Sequence, residues 1–120
     1  MIWATAFAIT QAIELPFYLT AAPRDWSWKK RLAVGFGASA ITHPFVWFFF
    51  PDATRWLIEV GGLDLSYRVP YWILAETFAV TVEALWLRRW GLRDPLLWAL
   101  LANGCSAGCG FLIHAARHLG

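Results

Sequence analysis

The chain alternates between long runs of hydrophobic residues and short polar segments. Four runs have the length that a helix needs to cross the hydrocarbon core of a bilayer, about 20 residues at a rise of about 1.5 Å each. They are Ile2–Ala22, Leu32–Phe50, Tyr71–Leu87 and Leu96–His114. The pattern predicts an all-α integral membrane protein, with four transmembrane helices in an up-down antiparallel bundle that forms a single domain over residues 1–120.

The distribution of charge supports these boundaries. Only 15% of the 120 residues are charged, whereas about a quarter are charged in an average soluble domain. Fifteen of the eighteen Asp, Glu, Lys and Arg residues lie outside the four runs. We expect the first run to be a retained helix rather than a cleaved signal peptide. It has no basic segment before it, and Gln11, Glu14 and Pro16 interrupt it.

The basic residues predict how the bundle is oriented. Seven of the ten lie in loop 1 (residues 23–31) and loop 3 (residues 88–95), and three lie in loop 2 and the C-terminal tail. Cytoplasmic loops of membrane proteins are enriched in Lys and Arg. We therefore expect loops 1 and 3 to lie in the cytoplasm and both termini outside, with the bacterial inner membrane as the location. The excess of bases needs no nucleic-acid partner.

The predicted loop 2, Pro51–Pro70, is the longest of the three. Its first part is predicted to form a short amphipathic helix over residues 52–60, with Asp52 as the N-cap and Gly61-Gly62 as the stop. Three apolar side chains would then face lipid at the outer surface. They are Trp56, Leu57 and Val60.

The three charged residues inside the runs are Glu14, Glu76 and Glu83. An acid near the bilayer centre costs roughly 2.5–3.5 kcal/mol on insertion scales, so ionisable groups at that depth usually have a function. Counted along the helix rise, polar side chains from all four helices fall into two adjacent layers. The outer layer is predicted to hold Gln11, His43 and Glu76, and the inner layer Glu14, Glu83 and Asn103.

Helical spacing turns these side chains towards one interior. Glu76 and Glu83 are two turns apart on one face of their helix, and Ser106 shares a stripe with Asn103 on the last helix. We therefore predict a site that binds an ion, a proton or a substrate. Its candidate residues are Glu14, His43, Glu76, Glu83, Asn103, Gln11 and Ser106.

Several chemistries suit such a set. Desolvation and neighbouring carboxylates favour the neutral form of a carboxyl group, so we expect some of these glutamates to exchange protons near neutral pH. His43 could share that proton with Glu76. Alternatively, His43, Glu76 and Glu14 could hold a divalent metal ion, although the Glu-x-x-His pattern of di-metal bundles is absent. Glu83 could instead form an ion pair with Arg88 at the interface.

The prolines and small residues inside the runs predict local features of the helix backbone and of helix packing. Pro16 and Pro44 each remove a backbone N–H, which either kinks the helix or frees a carbonyl for the site. Gly104 and Gly108 form a small-xxx-small pattern around Cys105, which favours helix packing over a redox role.

In size, in number of spans and in the acid of the first span, Glu14, the chain resembles the small multidrug-resistance transporters. The resemblance is one of architecture, because those transporters do not usually carry two further acids and a histidine in their other spans.

Three functional classes fit the sequence. The first is a proton-coupled or cation-conducting carrier or channel, which would work as a homo-oligomer because four helices enclose little space. The second is an accessory or assembly subunit that binds other membrane subunits. The third is a metal-dependent membrane enzyme acting on a lipid-soluble substrate. The third is the weakest, because no catalytic triad, phosphate loop or zinc-protease motif is present.

Overall fold

The computed structural model describes residues 2–62 and 67–119, with side chains up to Arg117. Over this range the regular secondary structure is all helical, with no strand, and short turns connect the helices. The helices are α1 (Trp3–Ala21), α2 (Trp28–Pro44), a π-helical segment (Phe45–Phe49), α3 (Phe50–Gly61), α4 (Arg68–Arg89) and α5 (Pro95–Leu119).

Helix α2, the π-helical segment and α3 form one continuous helix of 34 residues, Trp28–Gly61. The prediction that a long loop begins at Pro51 is therefore wrong, although its helical part is confirmed. Pro51 lies at the start of α3, directly after the π-helical segment, so its missing N–H falls where the hydrogen-bond ladder is already irregular. Asp52 is not the N-cap, since Phe49 holds that position. The helix ends at Gly62, whose φ of 62° is left-handed.

The π-helical segment begins directly after Pro44, which has no N–H to donate. Its wider turn joins the N–H of Phe50 to the carbonyl of Phe45, five residues earlier. The Tyr71 hydroxyl of α4 donates to the carbonyl of Val46 at 2.9 Å. A side chain from a neighbouring helix therefore satisfies a backbone acceptor in the irregular part of the ladder.

The four helical bodies surround a common interior. Helix α1 packs on α2 and α5, and α4 packs on the same two helices. Two bodies are long and apolar enough to cross a membrane, Trp28–Gly61 with a mean hydropathy of 1.4 and Pro95–Arg117 with 1.7. Helices α1 and α4 carry the three glutamates.

Many of the large apolar side chains are exposed on the outside of the bundle. They lie on α2, the π-helical segment, α3, α4 and α5, among them Phe36, Phe48, Leu85 and Leu112. The buried apolar core is small and rich in alanine. It contains Tyr18, Val34, Ala38, Leu87, Leu92, Ala99 and Ala102, with Ala22 at its edge.

Glycines in α2 let this helix approach both of its neighbours. A Cβ at Gly35 would lie 2.8 Å from Leu15 of α1, and one at Gly37 would lie 2.9 Å from the Trp86 ring of α4. The Trp86 indole N–H then donates to the carbonyl of Val34 at 2.9 Å. Close backbone approach therefore fixes the positions of α1 and α4 against α2.

Candidate functional site

A cavity of about 290 Å³ lies between α1, α2, α4 and α5. Ala6, Tyr71 and Ile113 line it near the end of the bundle where α1 and α4 begin and α5 finishes. Glu83 and Asn103 line it deeper in the bundle. Along α4 the cavity extends from Tyr71 to Glu83, which corresponds to about 18 Å of helix.

Packed side chains close the bundle beyond the deep end of the cavity. Tyr18 is 1% exposed and Leu87, Ala99 and Ala102 are fully buried. They belong to the apolar core and leave the glutamates at the floor of the cavity. The interior therefore contains a cavity with buried polar groups in one half of the bundle and is filled in the other.

Glu14 of α1 forms one half of the cavity floor and is 2% exposed. The hydroxyl of Ser39 on α2 donates to its Oε1, and the hydroxyl of Ser106 on α5 donates to its Oε2, both at 2.5 Å. Three helices therefore meet at this carboxyl group, and each of its oxygens accepts one hydroxyl.

Glu83 of α4 forms the other half and is 1% exposed. The Tyr18 hydroxyl donates to its Oε1 at 2.7 Å, and the Thr42 hydroxyl donates to its Oε2 at 3.0 Å. Asn103 lies beside it, and its amide donates to the carbonyl of Ala99 at 2.9 Å. The Glu14 and Glu83 carboxyl groups are themselves within hydrogen-bonding reach of each other.

Neither lysine nor arginine compensates this pair of acids, since none of those that the structure describes lines the cavity. The one salt bridge formed within residues 2–62 and 67–117 joins Arg55 to Asp52 on the surface of α3. Two buried carboxylates with neither a counter-ion nor a proton would be strongly unfavourable. The pair therefore requires a proton or a bound cation.

His43 and Glu76 line the cavity nearer to its mouth. Nε2 of His43 lies 3.3 Å from the Thr10 hydroxyl, and its ring contacts Phe7 and Trp47 with centroids 5.4 and 6.2 Å apart. His43 is only 8% exposed, yet its Nδ1 has no partner among the described residues. Glu76 is half-buried, and no donor in the described part of the chain bonds its carboxyl group.

The cavity brings together six of the seven residues singled out from the sequence. They are Glu14, His43, Glu76, Glu83, Asn103 and Ser106. Gln11 is the exception: its amide donates to the carbonyl of Phe36 on α2 at 3.1 Å. It lies about 100° around α1 from Thr10, so when Thr10 faces the cavity Gln11 faces α2. The proposed ion pair between Glu83 and Arg88 is wrong, because Glu83 turns into the bundle to Tyr18 and Thr42.

Sequence reasoning missed Tyr18 and the roles of Ser39 and Thr42 as donors to the glutamates. One signal was available, since Tyr18 follows Glu14 by four residues and shares its helix face. Nothing in the sequence says that Thr42 rather than its neighbour His43 contacts Glu83. That contact depends on how α2 is rotated against α4, which tertiary packing decides.

The metal alternative gains no support from the geometry. In the described part of the chain no three His, Cys, Asp or Glu side chains are arranged to hold a metal ion. His43, Glu76 and Glu14 line the same cavity but do not form such a cluster.

Comparisons with protein-family models, with curated proteins and with solved structures each give no match to this chain. The site must therefore be interpreted from its own chemistry.

Proposed function

We propose that the four helical bodies cross a membrane as an up-down bundle, with loops 1 and 3 on the cytoplasmic side of a bacterial inner membrane. The register of the contacts supports this arrangement: Thr10 meets His43 and Glu14 meets Ser39, as in antiparallel neighbours. The apolar exterior and the excess of bases in loops 1 and 3 support the orientation. In this orientation the cavity opens to the outer side.

The function that the site supports best is that of a small proton-coupled or cation-binding carrier. The observation on which this rests is the Glu14–Glu83 pair, buried at the floor of a cavity and lacking a basic partner. Such a pair can release a bound proton as it takes up another proton or a cation. The negative charge of the carboxyl groups then stays compensated throughout the exchange. A structural role alone would be met by amides at lower cost.

Proton flux in proteoliposomes tests this function. The protein is reconstituted with a pH-sensitive dye inside, and a potassium diffusion potential drives protons inwards. We expect flux above that of protein-free vesicles, and a loss of about tenfold or more in Glu14→Gln and Glu83→Gln, because an amide does not exchange a proton. Glu59→Gln is the matched control, since Glu59 is exposed on α3 outside the cavity.

Two outcomes would contradict the carrier function. Wild-type flux equal to that of empty vesicles would contradict the carrier function. Full flux in both cavity variants would show that Glu14 and Glu83 are not on the proton path. Retention of flux in the Glu59→Gln control shows that reconstitution tolerates loss of an acid.

An accessory role is the second candidate, and one feature of α5 favours it. A Cβ at Gly104 or Gly108 would meet nothing within 4 Å, so this small-residue face is open to another helix. Purification in a mild detergent distinguishes the candidates. Stoichiometric co-purifying subunits, with no flux from the isolated chain, would favour the accessory role over the carrier.

A further inference from the structure

The cavity has two chemically different parts, and together they define a class of ligand. Towards the mouth it is lined by the rings of Trp47, Tyr71 and Trp72. At the floor it presents the Glu14 and Glu83 carboxyl groups. A ligand that fills it therefore needs an apolar body and a polar end that carries a positive charge.

The hydrogen-bonding capacity of the floor narrows the class further. Two carboxylates offer about eight lone-pair positions, and the four hydroxyls of Tyr18, Ser39, Thr42 and Ser106 occupy half of them. Of the remaining acceptors, one on Glu83 faces the Asn103 amide, and the two carboxyl groups face each other, so the other acceptors on the cavity side are open to a donor from a ligand. A cation that carries N–H groups satisfies them, whereas a quaternary ammonium brings charge but no donor.

His43 is an independent observation that points to a ligand. It lines the cavity and is nine-tenths buried, and its Nδ1 is without a partner among the described residues. A buried polar atom of this kind normally has a partner. Glu76 adds a third carboxyl group, half-buried and without a described donor, on the same cavity wall.

We propose that the cavity binds a small primary amine in its ammonium form. The ammonium group lies on the cavity side of Glu14 and Glu83 and bridges their carboxyl groups, and the apolar body lies against Trp47, Tyr71 and Trp72. A volume of about 290 Å³ lies just below the range of ligand pockets, about 300–1,000 Å³, so the ligand is smaller than a typical drug-sized molecule, and a single ring or a short aliphatic chain fits as its body. The inference rests on the proposed function, because it names the cargo of the same site.

Isothermal titration calorimetry in lipid nanodiscs tests the proposal with three matched compounds. Benzylammonium carries charge and N–H donors, benzyltrimethylammonium carries charge alone, and benzyl alcohol is a neutral analogue. Empty nanodiscs correct for partition into lipid. We expect one benzylammonium per chain, bound about tenfold to a hundredfold more tightly than either of the other two compounds.

Variants locate the binding site. Glu14→Gln is expected to weaken benzylammonium binding by about tenfold to a hundredfold, because it removes a charge-assisted acceptor. Glu76→Gln provides a second variant that the fold tolerates, since that carboxyl group has no described donor to lose, and we expect weaker binding there too. Glu59→Gln on α3 should leave the affinity unchanged.

The proposal is overturned if benzylammonium does not bind, if either analogue binds as tightly, or if both cavity variants keep the wild-type affinity. Calorimetry and flux separate its failure from that of the carrier. Proton flux that depends on the glutamates, without amine binding, overturns the proposal that the ligand is an amine and leaves the carrier function in place. Amine binding to a protein that moves no protons, either alone or with an amine gradient across the vesicle membrane, overturns the carrier function and leaves a binding protein for amines.

Discussion

At the scale of single residues, the site is built from acids that hydroxyl groups hold in place. Tyr18 and Thr42 hold Glu83, and Ser39 and Ser106 hold Glu14. A hydroxyl donates or accepts as required, so it stabilises a carboxyl group with or without its proton. The sequence showed the acids because their charge contrasts with the surrounding runs. It did not show their donors, because Ser, Thr and Tyr are common at any position in such helices.

Removing one donor tests the contribution of these bonds to stability. In Tyr18→Phe the ring stays in the core but Glu83 loses a bond of 2.7 Å. We expect the free energy of unfolding in detergent micelles to fall by about 1–3 kcal/mol, the cost of leaving a buried acceptor unpaired. Tyr67→Phe is the control, since Tyr67 does not line the cavity and its ring stacks on that of Tyr71. An equal loss in both variants would contradict the assigned role of the Tyr18 hydroxyl.

At the scale of elements, the second helical body departs most from the sequence prediction. The predicted spans are residues 2–22, 32–50, 71–87 and 96–114, and the helices α1 and α4 cover the first and the third of these ranges to within three residues at each end. The second span is predicted to end at Phe50, but the helix continues through Pro51 to Gly61. Apolar runs predict where a helix lies in a bilayer, yet they do not predict where its backbone hydrogen bonds stop.

Glycine substitutions test how the elements pack. In Gly37→Ala the new methyl group would meet the Trp86 ring at 2.9 Å, so we expect a loss of about 1–3 kcal/mol in stability. In Gly108→Ala the methyl group meets open space, and we expect a gain of up to about 1 kcal/mol from helix propensity. Reversible unfolding of the purified monomer measures both changes. A gain at Gly37 would contradict the close approach of α2 and α4.

At the scale of the whole molecule, the bundle is divided into a hollow polar half and a packed apolar half. The division follows from the sequence, since polar residues of α1, α2, α4 and α5 converge on one cavity while the alanine-rich core fills the other half of the bundle. The sequence predicted this convergence. It could not predict which side chains face each other, because a rotation of about 100° separates a cavity residue such as Thr10 from a neighbour such as Gln11.

Cysteine accessibility tests the proposed orientation. In a variant in which Ala replaces Cys105 and Cys109, single cysteines are placed at Asp25 in loop 1, Arg93 in loop 3 and Glu59 in α3. A membrane-impermeant maleimide added to intact cells should label only Glu59→Cys, because loops 1 and 3 are assigned to the cytoplasm. Labelling of Asp25→Cys and Arg93→Cys in intact cells would show that the orientation is the reverse of the one proposed. Labelling of only one of those two would contradict the up-down arrangement, because it would place loops 1 and 3 on opposite sides of the membrane.

The central claim is that Glu14 and Glu83 act as one site for exchangeable positive charge. The most direct test is a double-mutant cycle on proton flux in proteoliposomes, with Glu14→Gln, Glu83→Gln and the two combined. Each single variant is expected to lose about tenfold or more, and the double variant no more than either single one, since removing one half disables the pair. Full flux in either single variant, or losses that multiply in the double variant, would contradict a shared site.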